Sequence, residues 1–171
     1  MIIGITGKSG SGKSTYAEKL AENTDYYVIH VDDISHEVME LDHVKSKLIS
    51  IFGHNVLHDG KINRKYIGDL VFTTRHVYNS VSKLIWNEVK IKIDNILTEH
   101  DNIILDWILL PHSHYWTKCD KKILIIADEK IRKEKVMQRD SISVEYLEKR
   151  DSAGIPYDNI IFDEIVKNEY K

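Results

Sequence analysis

The chain has 171 residues, enough for one α/β domain with a substantial core and too few for two ordinary domains. Its formal net charge of −3 argues against a general nucleic-acid binder, and its longest apolar stretch, residues 103–110, is far too short to span a bilayer. The single cysteine cannot form an internal disulfide, and because the first apolar run begins at Ile2 we expect no signal peptide before it. We therefore expect a cytoplasmic protein whose partner is a small molecule, not a nucleic acid or a membrane; composition does not indicate its oligomeric state.

A phosphate-binding motif follows the first apolar run. Residues 7–14 read G-x-x-x-x-G-K-S, the P-loop, between a predicted strand and a predicted helix. In that setting the loop amides and the helix N-terminus face a bound anion. Lys13 is expected to reach the β- and γ-phosphates of a nucleoside triphosphate, and the Ser14 hydroxyl to bind Mg²⁺. The predicted nucleotide-binding residues are Gly7, Lys8, Ser9, Gly10, Ser11, Gly12, Lys13, Ser14 and Thr15.

Short apolar runs alternate with helical patterns along the rest of the chain, which is typical of βαβ units on a parallel sheet. Strands are predicted at about 2–6, 27–31, 102–107, 122–127 and 160–167, and helices at about 13–23, 33–40, 43–52, 63–71, 75–98 and 129–138. The predicted fold class is α/β, a three-layer P-loop NTPase or kinase sandwich with a five-stranded parallel sheet. We expect a single domain over 1–171, with a helical substrate-binding insertion at about 33–100 and a lid at about 139–156.

Two aspartates follow the second predicted strand. Asp32 and Asp33 should arrive at the carboxyl edge of the sheet, where ligands bind in open parallel sheets. A carboxylate there can accept the proton of an attacking hydroxyl or orient it toward the γ-phosphate. The alternative is an N-cap for the following helix. We predict that Asp32 is the catalytic group and that Asp33 is the cap.

The third predicted strand ends in Asp106 after three apolar residues, the form of a Walker B strand. This carboxylate is a candidate Mg²⁺ ligand, directly or through water. The alternative, a strand-terminal Asp bonded to nearby backbone amides, stays equally open at this point. The predicted metal-binding residues are therefore Ser14 and Asp106.

Arginines cluster where the chain enters the predicted lid. Arg139 lies at the junction of helix and lid, and Arg150 follows it within the polar segment. Phosphoryl transfer spreads negative charge over the γ-phosphoryl oxygens, which arginines on a closing lid can stabilise. We predict a catalytic role for Arg139, beside Lys13 and Asp32, and keep Arg150 as a second candidate.

Two longer segments resemble the dephospho-CoA kinase family. Residues 28–38, Val-Ile-His-Val-Asp-Asp-Ile-Ser-His-Glu-Val, are similar to the family's V-I-D-A-D-x-x-A-R-x-V, and residues 59–72 are similar to its D-G-x-L-D-R-x-x-L-G-x-x-V-F. Met137–Asp140 resembles its entry to the lid. The resemblance implies ATP- and Mg²⁺-dependent phosphorylation of the ribose 3′-hydroxyl of dephospho-CoA, the last step of coenzyme A synthesis. It makes Asp32 the catalytic carboxylate and implies substrate contacts for His36 and Arg64. The family's later lid arginine is absent here, and we keep Arg150 as its candidate substitute.

The chain also departs from that family pattern. His30 replaces the first Asp of the V-I-D-A-D segment, Trp86-Asn87 replaces His-Pro, and residues 108–112 replace Pro-Leu-Leu-Phe-Glu. The chain ends soon after the fifth predicted strand, so we expect a divergent, C-terminally short member without the adenine-contacting loop and final helix. Two alternatives stay open: a nucleoside or nucleotide kinase, and a nucleotide-binding protein without turnover.

Overall fold

The computed structural model describes residues 1–73, 75–152, 154 and 156–169, with side chains described outside 69–80. Its strands are β1 (Ile2–Thr6), β2 (Tyr27–His30), β3 (Leu57–His58), β4 (Lys61–Ile62), β5 (Ile103–Asp106), β6 (Lys121–Ala127) and β7 (Glu164–Asn168). Its α-helices are α1 (Lys13–Ala21), α2 (Val31–Met39), α3 (Asp42–Phe52), α4 (Arg64–Thr73), α5 (Arg75–Glu99), α6 (Glu129–Asp140) and α7 (Val144–Ser152). These elements form two compact units, Met1–His30 with His100–Lys171, and Val31–Glu99.

A five-stranded parallel sheet organises the first unit, in the order β2-β5-β1-β6-β7. The predicted α/β fold with this sheet is confirmed. Ile3 and Ile104 are register partners on neighbouring strands, and both are buried together with Ala17 of α1 in the same core cluster. Burial on both faces explains why the inner strands are nearly continuous runs of Ile, Leu and Val.

The opposite side of β1 is closely covered as well. A Cβ built on Gly4 would lie 2.7 Å from Cys119 Sγ and 3.0 Å from a methyl group of Leu110. Both residues belong to the segment between β5 and β6, which contains short 3₁₀ turns at Leu110–His112 and His114–Lys118. Cys119 is a core residue with 6% of its surface exposed, and this burial raises the pKa of its thiol to about 12.

The second unit is mainly helical, with α2, α3, α4, α5 and the β3–β4 hairpin. Its apolar core includes Val38, Val44, Leu48 and Val89, all fully buried. The carboxylate of Glu40, just after α2, accepts a 2.8 Å hydrogen bond from the backbone amide of Ile62 and thereby links the end of α2 to the hairpin. No helix among the described residues is long and apolar enough to cross a membrane.

Two predicted features differ in the structure. Strand β2 ends at His30 and α2 begins at Val31, so Asp33 lies inside the first turn and the prediction that it caps the helix is wrong. The predicted lid contains the helix α7, where the sequence predicted a polar segment and no helix. Ala153 and Ile155 of that predicted lid lie outside the described residues.

Candidate active site

The loop between β1 and α1 has the backbone geometry that its glycines predict. Gly7, Gly10 and Gly12 have φ values of 149°, 79° and 93°, which are readily available to glycine because it has no Cβ. The loop is also packed without spare room on both sides. A Cβ on Gly10 would lie 2.3 Å from Val136 of α6, and one on Gly12 would lie 2.1 Å from Asn168 at the end of β7.

The loop leads into a helix start that suits a bound anion. Gly12 is the N-cap of α1 and provides no side-chain hydrogen bond, so the first amides of the helix are not capped by it. Lys13 is only 7% exposed, and its ammonium group lies 3.5 Å from the carbonyl oxygen of Lys8 across the loop. Residues 7–13 therefore bring one buried lysine and several amides to the same loop, as phosphate binding requires.

The predicted pair of metal-binding residues is in contact. The Ser14 hydroxyl donates a 2.6 Å hydrogen bond to Oδ2 of Asp106, and Nδ1 of His30 lies 2.9 Å from the same oxygen. The hydrogen-bond partners of Asp106 among the described residues are thus side chains, which favours the site role over the backbone-bonded alternative. On its other side, Nε2 of His30 lies 2.7 Å from Oε1 of Glu18.

These two carboxylates change the charge of His30. The hydrogen bond to Asp106 is the largest cause, and with the Glu18 contact it outweighs burial and raises the pKa of His30 from 6.5 to about 9. The imidazole is therefore protonated at neutral pH and donates to both acids. In the sequence, His30 is recognisable only as a replacement for an aspartate of the similar family segment.

The residues present at this site fit a magnesium ion. Asp106 is 4% exposed, and its Oδ1 is buried without a hydrogen-bond partner among the described residues. One carboxylate and one hydroxyl beside a phosphate loop form the hard oxygen set that Mg²⁺ takes together with substrate phosphates and water. The described part of the chain holds no group of three or more His, Cys, Asp or Glu side chains arranged to hold a metal.

The two predicted arginines meet at one loop residue. Nη2 of Arg139 lies 3.3 Å from the Ser9 hydroxyl oxygen, and Nη2 of Arg150 lies 3.0 Å from it. Asp140 accepts hydrogen bonds from both arginines, at 2.6 Å from Arg139 and 2.9 Å from Arg150. The Arg139 bond is the main reason that the pKa of Asp140 lies below its ordinary value. The lid helices thus place two guanidinium groups on the outer side of the loop.

A third arginine, Arg132 of α6, was not among the predicted site residues. It is 1% exposed and donates a 2.9 Å hydrogen bond to the Ser9 carbonyl oxygen. It also pairs with Asp151 of α7 and donates a 2.8 Å hydrogen bond to Glu129. Burial opposes the charge of Arg132, but these two carboxylates outweigh it and raise the pKa of its guanidinium group. Because most residues of α6 are polar, its sequence does not indicate that the charge of Arg132 is buried.

A cavity of about 290 Å³ lies at the other end of the loop and is lined by Gly12, Thr15, Tyr16 and Asn168, among others. The Asn168 amide donates a 2.9 Å hydrogen bond to the Ser11 carbonyl oxygen. Sequence reasoning missed Asn168, although its position at the carboxyl end of a parallel strand is the expected place for a ligand contact.

The other predicted site residues belong to the helical unit. Asp32 lies in the first turn of α2, and His36 follows one turn later. Burial lowers the pKa of His36, and the positive charge of Arg64 at the start of α4 lowers it further, against the effect of Asp33. His36 and Arg64 therefore share one neighbourhood within that unit. Their substrate contacts, and the catalytic role of Asp32, stay predictions.

Comparisons with known proteins point to one family. A family model described as dephospho-CoA kinase (CoaE) matches residues 1–169. The dephospho-CoA kinase of Fusobacterium nucleatum is 34% identical over 153 residues, which cover 87% of this chain and 78% of that protein. That of Aquifex aeolicus is 30% identical over 160 residues, 90% of this chain and 80% of that protein.

Two solved structures resemble the whole chain. TT1252 from Thermus thermophilus superposes with a TM-score of 0.83 at 26% identity and covers 98% of this chain and 88% of its own. Dephospho-CoA kinase from Campylobacter jejuni superposes with a TM-score of 0.66 at 23% identity, covering 99% and 89%, and supports the fold alone.

Proposed function

Since the chain belongs to the dephospho-CoA kinase family, a family of ATP-dependent phosphotransferases, we propose that it transfers the γ-phosphoryl group of ATP to the ribose 3′-hydroxyl of dephospho-CoA. The observation that carries the proposal is the 2.6 Å contact between Ser14 and Asp106. It joins a phosphate loop to a buried carboxylate with one unpartnered oxygen among the described residues. That combination suits the transfer of a phosphoryl group, since positioning and charge neutralisation supply most of its catalysis.

ATP would bind along the loop. The loop amides and Lys13 would neutralise the β- and γ-phosphates. The cavity beside Gly12 and Asn168 would take the nucleoside part, because it opens directly at the end of the loop and has about 290 Å³ of space. Asn168 would help to shape this end, since its amide is tied to the Ser11 carbonyl oxygen.

Ser14 and Asp106 would hold Mg²⁺, which would supply positive charge to neutralise the negative charge that develops during phosphoryl transfer. Within the chain itself, the protonated His30 would fix the orientation of Asp106 through their 2.9 Å contact. The proposed metal rests on the two oxygen donors that the chain offers, the Ser14 hydroxyl and the Asp106 carboxylate.

The acceptor side of the reaction is proposed residue by residue. We propose that Asp32 orients the acceptor hydroxyl and accepts its proton, and that Arg139 stabilises the charge of the transferring group from the lid. Arg150 and Arg64 would contact the phosphates of the substrate, since guanidinium groups pair well with oxygen anions. His36 would contact the substrate through a ring N–H. The cytoplasmic location expected from the single cysteine is part of the same proposal.

An acceptor screen tests this function against the nucleoside kinase alternative. ADP release would be followed with ATP, Mg²⁺ and, in separate reactions, dephospho-CoA, uridine, cytidine, adenosine and AMP. We expect ADP release with dephospho-CoA that is lost in Lys13→Met, a variant that removes only the phosphate-contacting charge. Release with a nucleoside or AMP but not with dephospho-CoA would contradict the proposal. ATP binding with no release for any acceptor would contradict turnover itself.

A further inference from the structure

Arg132 is a buried charge at the outer face of the phosphate loop. Only 1% of the residue is exposed, and a buried guanidinium group is tolerated only when acids and carbonyl oxygens satisfy it. Its partners come from three separate elements: the Ser9 carbonyl oxygen of the loop, Glu129 of its own helix, and Asp151 of α7. Arg132 therefore joins the loop to the helix that carries Arg150.

The bond to Ser9 fixes one peptide plane. A trans peptide is planar, with its carbonyl oxygen and the following amide N–H pointing in opposite directions. Because Arg132 holds the Ser9 carbonyl oxygen toward α6, the amide of Gly10 is directed away from α6. Gly10 cannot move toward the helix either, since even a Cβ on it would lie 2.3 Å from Val136. Amides of such a loop are the donors that receive phosphate oxygens.

The bond to Asp151 connects this peptide to α7. Asp151 directly follows Arg150, whose Nη2 lies 3.0 Å from the Ser9 hydroxyl oxygen. One end of α7 is thus connected to Ser9 in two ways. Arg150 contacts the Ser9 hydroxyl directly. Asp151 binds Arg132, which in turn donates to the Ser9 carbonyl oxygen. A displacement of α7 would remove a partner of Arg132 and loosen the peptide that it holds.

We propose that Arg132 is a positioning residue for phosphate binding, which orients the Ser9–Gly10 peptide of the loop and couples that orientation to the docking of α7 through Asp151. The inference rests on the proposed function in one respect, that the loop binds the phosphates of ATP. It concerns a residue that acts through the backbone and does not require contact between Arg132 and the nucleotide.

The test compares Arg132→Gln with Lys130→Gln, which removes the same charge from an exposed position of the same helix. For each variant, the ATP dissociation constant, KM for ATP, kcat and the melting temperature would be measured under conditions where circular dichroism shows a folded protein. We expect Arg132→Gln to raise the dissociation constant and KM for ATP about tenfold or more, with a smaller effect on kcat. Lys130→Gln should leave all of them unchanged.

Two further variants separate positioning from simple stability. Arg132→Lys keeps a charged donor without the planar fork and should restore part of the ATP affinity. Asp151→Asn keeps the shape of the partner and should weaken ATP binding in the same direction, so it decides the question if Arg132→Gln does not fold. The Gly10 amide should also change its ¹⁵N chemical shift in Arg132→Gln or Asp151→Asn, but not in Lys130→Gln.

A lower melting temperature together with unchanged ATP affinity in Arg132→Gln and Asp151→Asn would overturn the inference and leave the proposed function intact. A wild-type protein that does not bind ATP would contradict the proposed function, and the inference with it. The two failures are thus distinguishable by the wild-type measurement alone.

Discussion

Ser14 and Asp106 are hydrogen-bonded at 2.6 Å although they lie 92 positions apart in the chain. The sheet produces this contact, because β1 and β5 are parallel neighbours with Ile5 opposite Asp106. The loop that follows β1 leads into the start of α1, and Ser14 in the first turn of this helix lies beside the end of β5. The pair therefore depends on strand order and not on local sequence.

Asp106→Asn tests the metal role of this pair. The amide oxygen can still accept the Ser14 hydrogen bond, but without a charge it is a poorer ligand for a hard cation. We expect the Mg²⁺ concentration for half-maximal activity to rise about tenfold or more, as measured by Mg²⁺ titration of the initial rate. The control is Asp101→Asn, which lies before the first residue of β5, whereas Asp106 is its last. This variant should need the same Mg²⁺ concentration for half-maximal activity as the wild type. An unchanged titration in Asp106→Asn would remove Asp106 from the metal site.

His30 predicts a pH dependence of stability in the metal-free protein. Its folded pKa is raised to about 9 from 6.5, so its contribution to stability is complete below pH 6.5 and is lost as the pH rises through about 9. We therefore expect the difference in free energy of unfolding between wild type and His30→Gln to shrink over this range. Urea denaturation at a series of pH values measures it. A difference that stays constant with pH would contradict the raised pKa.

Gly10→Ala and Gly60→Ala form a matched pair for the close packing of the loop. Both glycines have positive φ, 79° and 75°, but a Cβ at Gly60 meets nothing within 4 Å, whereas one at Gly10 meets Val136 at 2.3 Å. Both variants should lose about 1–2 kcal/mol through backbone strain. We expect Gly10→Ala to lose about 1–3 kcal/mol more through overpacking, measured by chemical denaturation. An equal decrease in the free energy of unfolding for both variants would mean that α6 moves to accommodate the added methyl group, and would contradict the overpacking.

Asp32→Asn tests the predicted base. Removing a general base lowers the rate typically by about 10²–10⁴-fold, while the phosphate loop is untouched. We expect kcat to fall in this range with little change in the ATP dissociation constant. Asp33→Asn, the neighbouring acid on the same helix turn, is the control and should retain most of the rate. Normal transfer by Asp32→Asn would assign the role to another group.

The sheet and the loop were predictable because their signals are local. Buried parallel strands read as apolar runs, and the P-loop glycines occur at fixed spacing. The β3–β4 hairpin was missed despite its Asp59-Gly60 turn, a strong hairpin signal, because its strands have only two residues each. Helix α7 was missed because Leu147 is its one buried residue, which leaves no apolar stripe to recognise.

The charged partners of the site were less predictable for a different reason. Arg132 can be recognised as a site residue only from its contacts with Ser9 and Asp151, which are distant from it in the sequence. His30 likewise acquires its charge from Asp106 and Glu18 after the strands have assembled. Single-residue patterns identify donors and acids, but the tertiary fold decides which of them become buried pairs.

The most direct test of the proposed activity is the chemical identity of the product. Wild-type protein would be incubated with ATP, Mg²⁺ and dephospho-CoA, and the products followed by phosphorus nuclear magnetic resonance. The account predicts a new phosphomonoester signal coupled to the ribose 3′ proton, formed in step with ADP and absent in Lys13→Met. ADP without that signal, or phosphorylation at another position of the acceptor, would contradict it.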